Sequence, residues 1–200
     1  MTEIYLNPPQ PIPYPDSWLL KQFYRSPLLL YRLNLGKLFA RYILILSTRG
    51  RKTKQVHRTP VEYFKQGNRI YIISGFDQQP DWFQNIQTDP RVILQTHSWV
   101  MHAVARSPNT DQEWRDVVDY LKHSPIVSSE MKKQIEDHSE RSIIDQIKSW
   151  PVLTFDPLRE SGIKPLAADL SWVWPIILLV IAVKAIVLWL FFRNKSSDIF

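Results

Sequence analysis

Between residues 42 and 105 the chain alternates short apolar or β-branched runs with turn residues, and this spacing limits the folds open to it more than any other feature. The runs cover 42–47, 57–65, 69–74, 92–96 and 99–105, and each alternates or stays apolar with the period of a strand. Gln66-Gly67-Asn68 turns the second run into the third, and His97-Ser98 joins the last two as a hairpin. A further run, 150–155, places Pro151 at a strand start, where a missing donor is tolerated. A short helix interrupts the series over 80–88, with Pro80 near its first turn, Asp81 favourable to the helix dipole, and Asp89-Pro90 to stop it. Strands this close in sequence pair antiparallel. The expectation is an α+β fold built on a barrel or sandwich of about six strands, not a doubly wound sheet.

The flanks read differently. Prolines at 8, 9, 11, 13 and 15 make residues 1–16 an extended arm. Ser17 caps a short helix through Arg25, and after Pro27 the apolar residues Leu28, Leu29, Tyr31, Leu35, Leu38 and Phe39 predict a second one, with Gly36 as its weak point. Thr110 and Glu113 stand at capping-box spacing ahead of Trp114, Val117, Val118 and Leu121, which share one helical face ending near His123. Residues 127–149 are helical in pieces with Ile135, Ile143, Ile144 and Ile147 buried, and 157–170 is a polar, proline-bearing linker closing a domain that spans 17–156.

Beyond the linker, residues 171–193 contain an apolar run interrupted by Lys184, long enough at 1.5 Å per residue to span roughly 30 Å. Trp172, Trp174 and Trp189 near its ends, with Arg193 and Lys195 beyond in the tail 194–200, fit a spanning helix. The N-terminus has no basic start followed by an apolar run. A cytoplasmic domain held at the cell membrane by this single C-terminal anchor is the expectation.

Composition narrows the chemistry. With no cysteine, disulfides and thiolate metal sites are excluded, and no metal is expected. The net charge of +6 favours anionic partners. Much of that charge sits in the turn after the first strand, where Arg49, Arg51, Lys52, Lys54, His57 and Arg58 occur with no acidic residue among them and only Gly50 to relax the backbone. Like charges this close cost a few tenths of a kcal/mol per pair. Either the turn is a solvated hairpin tip or it is built for an anion. Nucleic acid is not the expected partner.

The segments LYRLNLGKLFARYILILSTRGRKT, RTPVEY, IYIISGF and PDWFQNIQTDPRV, in that order, resemble the deazaflavin-dependent nitroreductase family, split-barrel proteins similar in fold to FMN-binding oxidoreductases. The resemblance covers about residues 28–156 and rests on the GRK-(S/T) turn at 50–53, Arg58, Ser74-Gly75-Phe76, and Trp82, Asn85 and Asp89-Pro90. It implies a split β-barrel with flanking helices that binds coenzyme F-420, an anionic 8-hydroxy-5-deazaflavin, with FMN as the alternative. Arg51, Lys52, Thr53 and Arg58 would hold the phosphate and acidic tail, with Ser74, Gly75, Phe76 and Trp82 around the ring. The implied reaction is hydride transfer to a quinone- or nitro-aromatic-like acceptor, and a homodimer is implied as well; the alternative is a barrel that binds flavin, deazaflavin or lipid without turnover. The chain departs from the family at two points. Lys54 stands where the family has glycine, and no tyrosine lies in 121–149, leaving Tyr120, His123 and His138 nearest and no catalytic acid assigned.

Overall fold

The computed structural model describes residues 18–125 and 127–196, with side chains described over 24–125 and 127–186. Its strands are β1 (Ile43–Arg49), β2 (Val56–Glu62), β3 (Phe64–Gln66), β4 (Arg69–Ile73), β5 (Arg91–Gln95), β6 (Val100–Arg106) and β7 (Val152–Pro157). Its helices are α1 (Trp18–Arg32), α2 (Asp81–Thr88), α3 (Asp111–His123), α4 (Ser129–Glu136), α5 (Glu140–Ile147) and α6 (Val173–Ser196).

The seven strands form one antiparallel sheet in the order β2-β1-β5-β6-β7-β4-β3. β2 and β3 are therefore at opposite edges, yet Tyr63 alone separates them in the chain. A flat sheet of this size would hold those edges about 29 Å apart, whereas two residues of extended chain reach only about 7 Å. The sheet must roll up. Accordingly Leu44 and Leu46 of β1, Val61 of β2, Ile70 and Ile72 of β4 and Leu153 of β7 share one buried cluster, with Trp82, Phe83 and Ile86 of α2 packed into it. The strand number corrects the expected count of about six: the run 57–65 is two strands, because Tyr63 leaves the β1 ladder and hands the chain to β4. Leu44, Ile45 and Leu46 are all fully buried, so β1 is covered on both faces and reads as a continuous apolar run.

Helices complete the structure on the outside. α3, α4 and α5 bury Trp114, Val117, Leu121, Ile135, Ile143 and Ile147 against Phe64, Tyr71 and Val152. The Thr110–Glu113 capping box starts α3. α1 is one helix running through Pro27, not two, so Pro27 forfeits one backbone bond and does not end the helix. The chain then takes a 3-10 turn at Gly36–Leu38.

The segment expected as a linker is instead a strap over the second face of the sheet. Ser161 donates its backbone N–H to His102 Nδ1 of β6 (3.0 Å), Arg49 reaches Gly162 O (3.2 Å), Arg58 reaches Lys164 O (3.1 Å), and Leu166 exchanges two 2.8 Å bonds with the Gln95 carboxamide. Ile163 is only 4 % exposed beneath it. The strap then meets the end of α1, where Arg32 grips Asp169 through two bonds of 2.7 and 2.9 Å.

The expected C-terminal spanning helix is corrected: among the described residues, no helix is long and apolar enough to cross a membrane. Lys184 interrupts the apolar run of α6, where a charge deep in a bilayer would be costly. The arm 1–16, the Ser17 cap, the side chains of Trp189, Arg193 and Lys195, and residues 197–200 lie outside the described residues.

One buried ion cluster ties helix to barrel. Glu113, 1 % exposed, accepts two bonds from Arg106 at 2.9 and 2.7 Å and one from the backbone N–H of Asn109 at 2.8 Å, and forms an ion pair with Arg69 at 2.8 Å. The Arg106 hydrogen bonds, with smaller help from Asn109 and Arg69, hold its carboxyl at about 2, well below the ordinary 4.5, against the opposing effect of burial. Because the folded value is the lower one, the unfolded chain binds the extra proton, and the stabilisation is present above about pH 4.5 and lost as pH falls toward about 2. Denaturant midpoints measured across that range will fall with pH in the native chain, and Glu113→Gln will flatten the slope while lowering the midpoint at neutral pH.

Candidate functional site

The β1–β2 connection, residues 50–55, is a turn closed twice by its backbone, through Gly50 N–H to Gln55 O at 2.7 Å and Lys54 N–H to Gly50 O at 2.9 Å. That closure places Lys54 at φ +60°, the left-handed region that glycine fills without cost. Gly50 is required for another reason: a Cβ there would meet His57 Nε2 at 2.7 Å and Thr53 Oγ1 at 2.8 Å. Those two side chains lie 3.3 Å apart on the same side of the turn.

A residue on α2 fixes the turn to the barrel. Asn85, 2 % exposed, accepts from the Arg51 backbone N–H at 3.0 Å and from its guanidinium at 3.2 Å, and donates to Thr48 Oγ1 at 3.3 Å. Arg51 also pairs with Asp81 at 2.9 Å, but that carboxylate is 78 % exposed, so the pair is worth little.

Two hollows flank the turn. The larger, ≈ 620 Å³, has Arg49, Arg51, Lys54 and Arg91 around Asp89; the smaller, ≈ 270 Å³, has Arg51, Lys52, Thr53, His57, Asp81 and Asn85. Asp89 takes two bonds from Arg91, at 2.8 and 2.9 Å, and lies 3.6 Å from Arg49. The Arg91 hydrogen bond above all, with Arg49 assisting, holds its carboxyl below the usual carboxylate range. Among the described residues no carboxylate pairs with Lys52 or Lys54. The cations outnumber the carboxylates in the larger hollow, so an anion there meets a net positive field.

The structure gathers some of the expected site residues and separates others. Arg51, Lys52 and Thr53 come together at the smaller hollow. Arg58 does not join them: it faces Ser47 across the β1–β2 ladder and donates to the strap at Lys164 O. Trp82 sits in the barrel core with its ring edge-on to Phe83, centroids 5.6 Å apart. Ser74 is buried and bonds Asp77 O, whereas a Cβ on Gly75 would meet nothing within 4 Å. Phe76 meets Tyr24 of α1 edge to face at 6.4 Å.

Sequence reasoning placed His57 in the cationic turn without a site role and did not bring Asp81 or Arg91 to it. One signal was available for His57. Adjacent strand residues point to opposite faces, so His57 and Arg58 cannot both look at the same hollow.

A family model described as F420H(2)-dependent quinone reductase matches residues 29–131 of this chain. Among solved structures, the chain is similar to an F420-H2 dependent reductase, FDR-A, at 17% identity over 58% of this chain and 95% of that one, with a TM-score of 0.39. It is also similar to HutZ, a heme storage protein from Vibrio cholerae, at 13% identity over 66% of this chain and 94% of that one, with a TM-score of 0.39. Both likenesses are loose, and the family assignment rests on the family model.

Two substitutions check the geometry of the turn. Asn85→Ala leaves a part-buried backbone N–H and the Thr48 hydroxyl without their partner, and is expected to cost about 1–3 kcal/mol in urea unfolding. Lys54→Gly relieves the left-handed backbone and is expected to raise stability by about 1 kcal/mol in the same assay.

Proposed function

The chain belongs to the F420H(2)-dependent quinone reductase family, and from that premise we propose that it transfers a hydride to a quinone-like acceptor, holding its cofactor by the turn between β1 and β2. The family is one of oxidoreductases, and its cofactor is coenzyme F-420. The observation that carries the reading is the turn itself, where Arg51, Lys52 and Lys54 project beside Thr53 with Lys52 and Lys54 free of carboxylate partners among the described residues.

The residues present fit the anionic end of such a cofactor. Arg51 offers a guanidinium already oriented by Asn85, and its exposed partner Asp81 is displaced at a cost below about 1 kcal/mol. Lys52 adds a mobile point charge and Thr53 a hydroxyl donor. The larger hollow, with Arg49, Lys54 and Arg91, is roomy enough for an acidic tail that leaves the turn in that direction.

At the other end of α2 the open space beside Gly75 lets a flat ring approach the backbone. Phe76, held edge-on by Tyr24, supplies an apolar wall that orients a planar acceptor and keeps water away. When bound, the reduced deazaflavin supplies the hydride. The protein's contribution is placement.

Arg58 and Trp82 have other duties in this reading: Arg58 holds the strap and Trp82 packs α2 into the barrel. The test follows from that division. Arg51→Glu and Lys52→Glu are each expected to weaken F-420 binding by at least about 10-fold, the loss of one charge-assisted contact of about 1.5–3 kcal/mol, as read by fluorescence titration. Arg58→Gln is expected to leave the dissociation constant within about 2-fold of the native one while lowering thermal stability. Retention of F-420 by both charge-reversed proteins would overturn the assignment of the turn.

A further inference from the structure

His57 carries no role in the resemblance, yet it is the strand residue that the structure aims at the turn. The second residue of β2, it lies opposite Thr48, the residue bonded to Asn85, and therefore points to the Asn85 side of the sheet. Its Nε2 lies 3.3 Å from Thr53 Oγ1, and the two atoms crowd the place where Gly50 has no Cβ. The imidazole thus closes one side of the smaller hollow, facing Arg51 and Lys52.

We propose that His57 contacts the phosphate of the bound cofactor together with Thr53, and that the proton on its imidazole sets how tightly this site holds an anion. The inference rests on the reading of the turn as the cofactor's anion site. Thr53 Oγ1 already accepts from the Gln55 backbone N–H at 3.3 Å, which leaves its hydroxyl hydrogen for either His57 or a ligand oxygen. With His57 neutral, Nε2 can take that hydrogen and the hollow offers the anion one hydroxyl donor fewer. With His57 protonated, Nε2–H becomes a donor, Thr53 turns its hydrogen outward, and the hollow gains a charge and two donors at once. The charged groups that face His57 are Arg51 and Lys52 from the turn and Asp81 from α2, with neutral Thr53 and Asn85 completing the wall. Asp81 is the one carboxylate among them. It is also the group that an anion displaces from Arg51. A bound phosphate takes over its part with respect to both cations.

The experiment is a fluorescence titration of F-420 into the native protein, His57→Gln and His57→Arg at about pH 5.5 and about pH 8, the interval across which histidine changes charge. Inorganic phosphate serves as competitor. The native protein is expected to bind F-420 about 10-fold or more tightly at the lower pH, a difference of about 1.4 kcal/mol, and phosphate to compete better there. His57→Gln is expected to bind weakly at both values, with the pH dependence lost, and His57→Arg to bind tightly at both. Thermal melting without ligand confirms that each variant is folded. Binding by His57→Gln that keeps the native pH dependence would overturn the role of His57 and leave the turn assignment standing. Native protein that binds no F-420 at either pH would instead overturn the reading of the turn on which this inference rests.

Discussion

Tyr63 is the only residue between two strands that lie at opposite edges of a seven-stranded sheet. Everything else in the fold follows from closing that distance. The sheet has to roll until its first and last strands are neighbours, and rolling creates an interior that one layer of side chains from six strands can fill. It also creates an open end, which α2 covers with Trp82, Phe83 and Ile86. Because α2 lies there, its polar side meets the turn leaving β1, and Asn85 can hold that turn from below. A cationic hairpin that would otherwise spread apart by self-repulsion is therefore kept in one shape before any ligand arrives.

Local pattern was enough to read much of this in the sequence. The alternation of strand residues, the Thr110–Glu113 capping box and the four buried isoleucines of α4 and α5 each announce themselves within a few positions. Lys54 in the turn was also legible as a point of backbone tension, and its positive φ is the structural counterpart. What escaped is what depends on distant partners. Arg58 lies in the same cationic run as Arg51, and only the far carbonyl of Lys164 shows that it serves another face. The strap reads as a linker because its anchoring bonds are made mostly by side chains of the sheet, not by a hydrophobic pattern of its own.

The two faces of β2 thus divide the labour of the cationic run. His57 lies with Arg51, Lys52 and Thr53 around the smaller hollow, while Arg58, on the other face, gives its guanidinium to the carbonyl of Lys164. Counting charges would treat these arginines as alike. Counting hydrogen-bond partners separates them.

The strap has a mechanical consequence. Its fastenings follow one another along the chain: Asp169 to Arg32, Leu166 to Gln95, Lys164 to Arg58, Gly162 to Arg49, and Ser161 to His102. A pull applied through α6 therefore loads them one at a time, as in unzipping, and not all together as in shear. The force needed to lift the strap is that of a single fastening, far less than their sum, and it reaches the first of them at the end of α1 before it disturbs any strand of the barrel.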